Sequence, residues 1–177
     1  WTWDARLTLT AILLLIFAGY LMLRSLTEDE SRAASAAAVL GIIGGSGIYD
    51  LPGIEDLTER HVSTPWGEPS DALLFGRVGQ TEVVFLPRHG RGHRYSPSDI
   101  NYRANIDAMK RSGVTDLVSF SACGSYREEL SPGTFVLVDN FVDRTVRRVS
   151  SFFGAGCVAH VPFSHPVGPA LQDLVAE

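Results

Sequence analysis

The stretch that most constrains this chain is an apolar run ending in a glycine-rich turn, Val39 to Asp50, which reads Val-Leu-Gly-Ile-Ile-Gly-Gly-Ser-Gly-Ile-Tyr-Asp. A short apolar run that stops at glycines is typical of a buried strand that delivers its following loop to a ligand. Gly44, Gly45 and Gly47 place no side chain over the loop, so backbone N–H groups can surround an anion and the Ser46 hydroxyl can add a donor. The sequence therefore predicts an oxyanion site after the first strand.

Three interpretations of this glycine turn compete. A P-loop requires a Lys-Ser or Lys-Thr pair after its last glycine, and this stretch has neither. A dinucleotide-binding fingerprint would use Gly45 and Gly47 as its first two glycines, but Asp50 stands at the third position and Pro52 follows where a helix should begin. A tight turn without a ligand is the third interpretation, and the turn taken alone does not exclude it.

Two later segments end in groups suited to the same anion. Val83 to Gly92 is interpreted as a strand that presents Arg88 and His89 beside a glycine, and Leu117 to Ser125 as a strand followed by hydroxyls and a glycine turn. Ligands of open α/β sheets collect at the carboxyl ends of the strands. Three such ends carrying hydrogen-bond donors predict a single phosphate site.

A resemblance to a known family rests on five segments, which are Gly-Ile-Ile-Gly-Gly-Ser-Gly at 41–47, Pro-Arg-His-Gly-Arg-Gly-His at 87–93, Asn-Tyr-Arg-Ala-Asn-Ile at 101–106, Ser-Ala-Cys-Gly-Ser at 121–125 and Val-Asp-Asn-Phe-Val-Asp-Arg-Thr at 138–145. In this order they resemble 5′-methylthioadenosine phosphorylase, within the purine nucleoside phosphorylase superfamily. The resemblance runs from about residue 39 to the end of the chain. It implies a three-layer α/β/α fold with a mixed central sheet, assembled as a homotrimer.

The same resemblance implies an activity, which is phosphate-dependent cleavage of the glycosidic bond of 5′-methylthioadenosine to adenine and 5-methylthioribose 1-phosphate. It places phosphate binding at Ser46, Arg88, His89, Ser121 and the Ala122 backbone. A guanidinium can bind phosphate through two parallel N–H bonds, which makes Arg88 the first candidate. Inorganic phosphate is the co-substrate, and neither a metal nor a cofactor is expected.

Other residues in the resembling region are less clearly assigned. His160 resembles a histidine that lines the 5′-substituent pocket from a neighbouring subunit, although it could equally cap a turn before Pro162. His93 and Tyr102 lie in the resembling segments without an assigned role. Cys123 is interpreted as a small packed residue, because phosphorolysis needs no thiol nucleophile and no base is visibly paired with it.

Members of this family are longer than this chain, and the aspartate that assists the departing purine lies in their later part. The catalytic residue is therefore unassigned, and we expect this chain alone to be inactive. A non-catalytic module that binds phosphate or a nucleoside is an alternative. The sequence does not separate methylthioadenosine from methylthioinosine or other purine nucleosides.

Composition bounds the remaining possibilities. The chain has 177 residues, a formal charge of −5 and 45% hydrophobic residues, which suits one medium domain plus an appendage. Mild acidity without any run of Lys or Arg argues against nucleic acid as a partner. Cys123 and Cys157 provide neither a disulfide framework nor a four-ligand zinc set. We therefore expect the phosphorylase-like part, residues 39–177, to be cytoplasmic.

Residues 1–38 form a different kind of sequence. Seventeen uncharged residues, Leu7 to Leu23, lie between Arg6 and Arg24. That length is at the short end of a membrane-spanning helix, so a transmembrane helix followed by a linker is predicted here. A signal peptide is the rival, but the small residues at 33–38 stand too far beyond the apolar run for the usual cleavage site.

The opening Trp-Thr-Trp-Asp-Ala-Arg-Leu-Thr, this apolar helix and Glu28 to Ala34 resemble the end of the tryptophan-rich motif of haem exporter protein C of cytochrome c maturation. The first histidine of the chain is His61, so no haem ligand is assigned in this part. Trp1 and Trp3 suit interfacial anchors. Three explanations fit the presence of two unrelated resemblances in one chain, which are a natural fusion, a membrane-anchored phosphorylase and a joined pair of gene fragments. The absent start and stop signals favour the last. A membrane fragment of the haem-export machinery is thus the other functional alternative.

Periodicity and turn residues predict the secondary structure of the second part. Thr64 to Gly67 is expected to form a turn, and Pro169 to begin a helix. The remaining predicted elements are a hairpin of Ala72–Val78 and Thr81–Leu86, a helix over Ser98–Gly113 capped by Ser98, and strands at Val114–Ser121 and Thr134–Val138.

Overall fold

A computed structural model describes residues 38–45, 53–149 and 151–176. The chain divides into two units, Trp1–Ala37 and Ala38–Glu177, and every described residue belongs to the second. The predicted transmembrane helix at residues 7–23 lies outside the described residues. Within the described ranges, no helix is long and apolar enough to cross a membrane.

The described part contains five strands and two helices, in the order β1 (Val39–Gly44), β2 (Glu55–Arg60), β3 (Leu73–Val78), β4 (Thr81–Pro87), α1 (Tyr102–Arg111), β5 (Asp116–Ser119) and α2 (Pro169–Ala176). The strands form one sheet in the order β2-β3-β4-β1-β5. β1 runs parallel to β4 and β5, whereas β3 runs antiparallel to β2 and β4. The predicted mixed sheet in an α/β domain is therefore confirmed.

The core lies between the sheet and α1. β4 is the central strand, and five of its seven residues, Val83–Pro87, are buried in succession, as expected for a strand with both faces buried. On the helix, Ala108 and Met109 pack into the same cluster as Leu73 and Leu86 of the sheet. This packing fixes the carboxyl end of β4, from which the next residues of the chain emerge.

A buried polar pair joins α1 to the segment that precedes β3. The Asn105 side chain accepts a hydrogen bond from the Ser70 N–H at 2.8 Å and donates one to the Ser70 hydroxyl at 2.9 Å. Asn105 and Ser70 are only 2% and 3% exposed. Because both side chains are satisfied, their burial carries no unpaired polar group, and the backbone at Ser70 is held in place.

Several predicted boundaries need correction. α1 begins at Tyr102, and its cap is Asn101, whose side-chain oxygen accepts from the Ala104 N–H at 3.2 Å. Ser98 was the wrong cap because residues 96–99 form a turn of their own, in which the Asp99 N–H donates to the Ser96 carbonyl. The helix ends at Arg111, and the predicted terminator Gly113 stands just past the cap Ser112 with a left-handed φ of +84°. β5 covers only Asp116–Ser119 of the predicted longer strand.

Two strand assignments differ from the prediction. β2 was not predicted, because all six of its residues are exposed at the edge of the sheet and carry no apolar alternation. The strand predicted at Thr134–Val138 is wrong: these residues form no strand, and Phe135 is 87% exposed. A run of strand-forming residues becomes a strand only when a neighbour pairs with it, and no described residue does so here.

The hairpin, the Thr64–Gly67 turn and the final helix are confirmed. β3 and β4 are joined across residues 79–80, and the Gly67 N–H donates to the Thr64 carbonyl at 3.1 Å. The final helix begins at Pro169, as predicted.

Candidate functional site

Three parallel strands end side by side. Gly44 at the end of β1 pairs in register with Pro87 of β4, and Ile43 pairs with Ser119 of β5. The ladder continues one residue further on each side, because the Arg88 N–H donates to the Gly44 carbonyl at 2.9 Å and the Phe120 N–H donates to the Ile43 carbonyl at 2.8 Å. The predicted convergence of three strand ends is therefore present.

The Arg88 side chain lies across these three ends. Its Nη1 donates to the Phe120 carbonyl and its Nη2 to the Ser121 hydroxyl, each at 3.3 Å. A β-carbon at Gly45 would stand 3.6 Å from Nη2, so the guanidinium rests against the first residue of the glycine turn. Among the described residues Arg88 has no carboxylate within ion-pair distance. The site thus offers a half-buried cation whose present partners are neutral oxygens.

The hydrogen bonds of His89 determine its tautomer. Nδ1 lies 2.8 Å from the Tyr95 carbonyl, which can only accept, so Nδ1 carries the proton. Nε2 accepts from the Arg88 Nε at 3.3 Å and is therefore unprotonated. His89 is buried, and its Nε2 contact orients the guanidinium. Its predicted donation to phosphate stays a prediction, and it requires a proton on Nε2 in place of the Arg88 contact.

Asp71, which was not predicted as a site residue, holds the loop that follows Arg88. Its carboxylate accepts from the Ala72 N–H at 2.9 Å and the Arg91 N–H at 2.6 Å, and it forms an ion pair with Arg94 at 3.3 Å. Burial raises the pKa of Asp71, but these backbone N–H groups and the charges of Arg91 and Arg94 outweigh it, so the pKa lies below its ordinary value. Asp71 thus holds the segment that carries Arg88 and His89.

Asp71 makes a pH dependence predictable. A carboxylate with a lowered folded pKa adds stability that is present above its unfolded pKa of about 3.9 and is lost as pH falls through the lower folded value. We expect Asp71→Asn to lower the free energy of unfolding at neutral pH, and the gap to the parent chain to close below about pH 4. Urea unfolding across this range measures the effect. Glu128→Gln, at an exposed position outside the cluster, is the control, and a gap for Asp71→Asn that is constant with pH would refute the assignment.

The other predicted site residues are placed as follows. Ser121 contacts Arg88, and Ala122 follows it on the exposed side of the strand end. Ser46 lies outside the described residues. His160 is exposed, and no described hydrogen bond or ring contact joins it to Arg88. Cys123, expected to be packed, is exposed instead.

His93, which had no assigned role, stacks on His89 with the ring centroids 4.2 Å apart. Asp71 and Tyr95 are the contributors that the sequence did not reveal. Neither lies in the quoted segments, and each acts through a contact made only in the folded chain. In the described ranges, no group of three His, Cys, Asp or Glu side chains is arranged to hold a metal ion.

The fold and this geometry define an α/β domain that holds an arginine side chain at the ends of three parallel strands. A family model described as Phosphorylase superfamily matches residues 39–177. The chain belongs to the phosphorylase superfamily. A second family model, described as Heme exporter protein C, matches residues 1–52.

Individual relatives agree with this membership. The chain is 68% identical over 139 residues to S-methyl-5′-thioadenosine phosphorylase of Bradyrhizobium diazoefficiens, a match covering 78% of this chain and 48% of that protein. Among solved structures, methylthioadenosine phosphorylase from an Antarctic soil metagenomic library superposes with a TM-score of 0.74 at 46% identity, covering 78% of this chain and 48% of that one. The Schistosoma mansoni protein in complex with adenine gives 0.74 at 41% identity, with coverages of 78% and 52%. The chain spans about half the length of the relatives it matches.

Proposed function

We propose that residues 39–177 serve the phosphorolysis of 5′-methylthioadenosine. An oxygen of hydrogenphosphate forms a bond to the anomeric carbon as the bond from that carbon to the purine nitrogen breaks. The departing purine takes up one proton, which overall comes from the hydrogenphosphate, and the products are neutral adenine and 5-methylthioribose 1-phosphate. The observation that carries this proposal is the Arg88 guanidinium, held across three strand ends without a described carboxylate partner. The similarity to S-methyl-5′-thioadenosine phosphorylases supports the substrate.

Phosphate would replace weak contacts with stronger ones at this site. Arg88 now donates to two neutral oxygens at 3.3 Å, whereas charge-assisted hydrogen bonds to phosphate oxygens are typically about 2.7–2.9 Å long and about twice as strong. The Ser121 hydroxyl, the Ala122 N–H and the Ser46 hydroxyl complete the proposed donor set, and His89 keeps Arg88 oriented. Fixed donors position the nucleophile and stabilise the charge as the sugar becomes cationic.

The remaining features of the proposal come from the resemblance. We infer that the domain adopts a three-layer arrangement, assembles as a homotrimer in the cytoplasm and uses phosphate without a metal or cofactor. His160 would reach the 5′-substituent pocket of a neighbouring subunit, and its exposure is compatible with that role.

A second candidate function is favoured by the match of residues 1–52 to the haem exporter protein C model. In this reading the first 38 residues are a membrane segment of the haem-export machinery, with a helix at residues 7–23, and the phosphorylase-like part is incidental. An upstream reading frame with haem-ligating histidines would favour it over the first proposal.

The decisive experiment adds the part of a relative's sequence that lies outside its match to this chain. We expect a chimera of residues 39–177 with the remaining sequence of the Bradyrhizobium diazoefficiens relative to release adenine from methylthioadenosine only when phosphate is present. The 177-residue chain alone, assayed in parallel, is expected to release none. A folded chimera that binds methylthioadenosine without phosphate-dependent adenine release would indicate a non-catalytic binding module instead.

A further inference from the structure

A second positively charged pocket, which shares no lining residue with the Arg88 site, lies beside the amino end of α1. It has a volume of about 330 Å³, and we call it the arginine pocket. Its lining includes the guanidinium-bearing residues Arg103, Arg147 and Arg148 and the aromatic residues Trp66 and Tyr102. None of these residues takes part in the phosphorolysis proposed above.

The arginine pocket carries more positive charge than its own carboxylates can neutralise. Asp99 is the acidic residue in its lining, and its carboxylate already accepts a hydrogen bond from the Ser96 hydroxyl at 2.5 Å. Among the described residues, none of the three arginines forms an ion pair. Hydrogen bonds from Thr145, and to a smaller extent the charge of Arg148, lower the pKa of exposed Asp143, but Asp143 and Arg148 do not reach ion-pair distance. On a chain with a net charge of −5, this is a local concentration of cations.

Two of the guanidiniums lie over aromatic rings. Arg103 lies over the Trp66 ring at 4.5 Å from its centroid, and Arg148 lies over the Tyr102 ring at 5.5 Å. Contact with an aromatic ring does not neutralise the charge of a guanidinium. The Arg103 Nη1 also donates to the Ser151 carbonyl at 3.5 Å, which is a neutral acceptor.

The donors of Arg148 are incompletely used. Its Nη1 donates to the Tyr102 hydroxyl at 3.4 Å, but its Nε is buried and has no hydrogen-bond partner among the described residues. A buried N–H without an acceptor is unfavourable, and more so on a charged group. Arg147 beside it is exposed and adopts a left-handed backbone with φ of 60°, which is uncommon for a residue with a β-carbon. The described residues therefore leave donors of Arg148 unsatisfied.

We propose that the arginine pocket binds a small phosphate-bearing anion of the pyrophosphate or phosphate-ester class. Three guanidiniums match the several oxygens and multiple negative charges of such a ligand, since the guanidinium fork fits phosphate with two parallel bonds. The positive end of the α1 dipole adds to the attraction. Arg103 lies over one face of the Trp66 ring and Arg148 over one face of the Tyr102 ring, so the three guanidiniums, and not the rings, supply the proposed recognition of phosphoryl oxygens.

The test uses the 177-residue chain carrying Arg88→Ala, so that the first phosphate site is removed. Isothermal titration with inorganic pyrophosphate is expected to show one saturable site. Adding Arg147→Gln should weaken it about tenfold or more, the usual effect of losing a hydrogen bond to a charged group. Arg147 is exposed and makes no described side-chain contact, so this change leaves the fold intact.

Arg144→Gln in the same background is the matched control. Arg144 is exposed in the same segment and does not line the pocket, so its removal changes the net charge equally. Unchanged affinity in this variant, with a loss in Arg147→Gln, supports the arginine pocket. Equal losses in the two variants, or no saturable binding in the Arg88→Ala background, would overturn the proposal.

Discussion

Phosphate affinity of the chain is expected to fall by roughly ten- to a hundredfold when Arg88 is replaced by alanine, which corresponds to about 1.5–3 kcal/mol for hydrogen bonds to a charged group. The reason is that Arg88 spans the ends of β1 and β5 and has no described carboxylate partner, so its charge is available to the anion. Isothermal titration calorimetry of the purified chain with inorganic phosphate measures the loss directly.

Two further variants separate charge from geometry at this position. Arg88→Lys retains the charge but loses the two-pronged donor arrangement, and an intermediate affinity is expected. Arg77→Ala removes an arginine at the opposite end of the β3–β4 hairpin, where its side chain donates to the Gly79 carbonyl, and should leave binding unchanged. Every chain in this comparison carries Arg147→Gln, so that the arginine pocket does not contribute to the signal. In that background, a phosphate affinity that survives Arg88→Ala would remove this residue from the site and with it the main support for phosphorolysis.

The candidate site was predictable where it depends on buried strands. β1 is an apolar run that ends at Gly44, and β4 is one that ends at Pro87. A largely buried strand can be recognised in a sequence as a continuous apolar run. Because parallel strands bring their carboxyl ends to one edge, placing Arg88 and Ser121 together required only the strand assignments.

The long-range contacts that hold the site in place could not be predicted from the sequence, and the reason is physical. Asp71 contacts the Arg91 backbone 20 positions away, and Arg148 contacts Tyr102 46 positions away. No local periodicity encodes such a contact, since it depends on where two loops come to lie. β2 shows the same limit, because an exposed edge strand has no buried face and hence no alternating pattern. The tautomer of His89 likewise depends on the Tyr95 carbonyl, which only the folded loop brings within 2.8 Å.

The second large effect is expected for a substitution at Gly90, in the loop after Arg88. This residue has φ of +69°, and a β-carbon there would lie 2.9 Å from the Ser70 carbonyl oxygen and 3.1 Å from the Arg94 Nε. Ser70 cannot easily move, because its N–H and hydroxyl are bonded to buried Asn105. Gly90→Ala is therefore expected to displace the loop and to weaken phosphate binding through Arg88. It should cost about 2–5 kcal/mol of folding free energy, from left-handed strain and overpacking together.

Gly92→Ala is a matched control two residues further along the same loop. Gly92 also has a left-handed backbone, with φ of +75°, but nothing lies within 4 Å of its β-carbon position. Gly92→Ala should lower the free energy of unfolding only by the cost of the left-handed backbone, about 1–2 kcal/mol, and should leave phosphate affinity nearly unchanged. Urea unfolding and phosphate titration of the two variants give the comparison. Because the substitution and the backbone region are the same, the difference between them isolates the contact with Ser70, and equal losses of stability and affinity would show that this contact does not position Arg88.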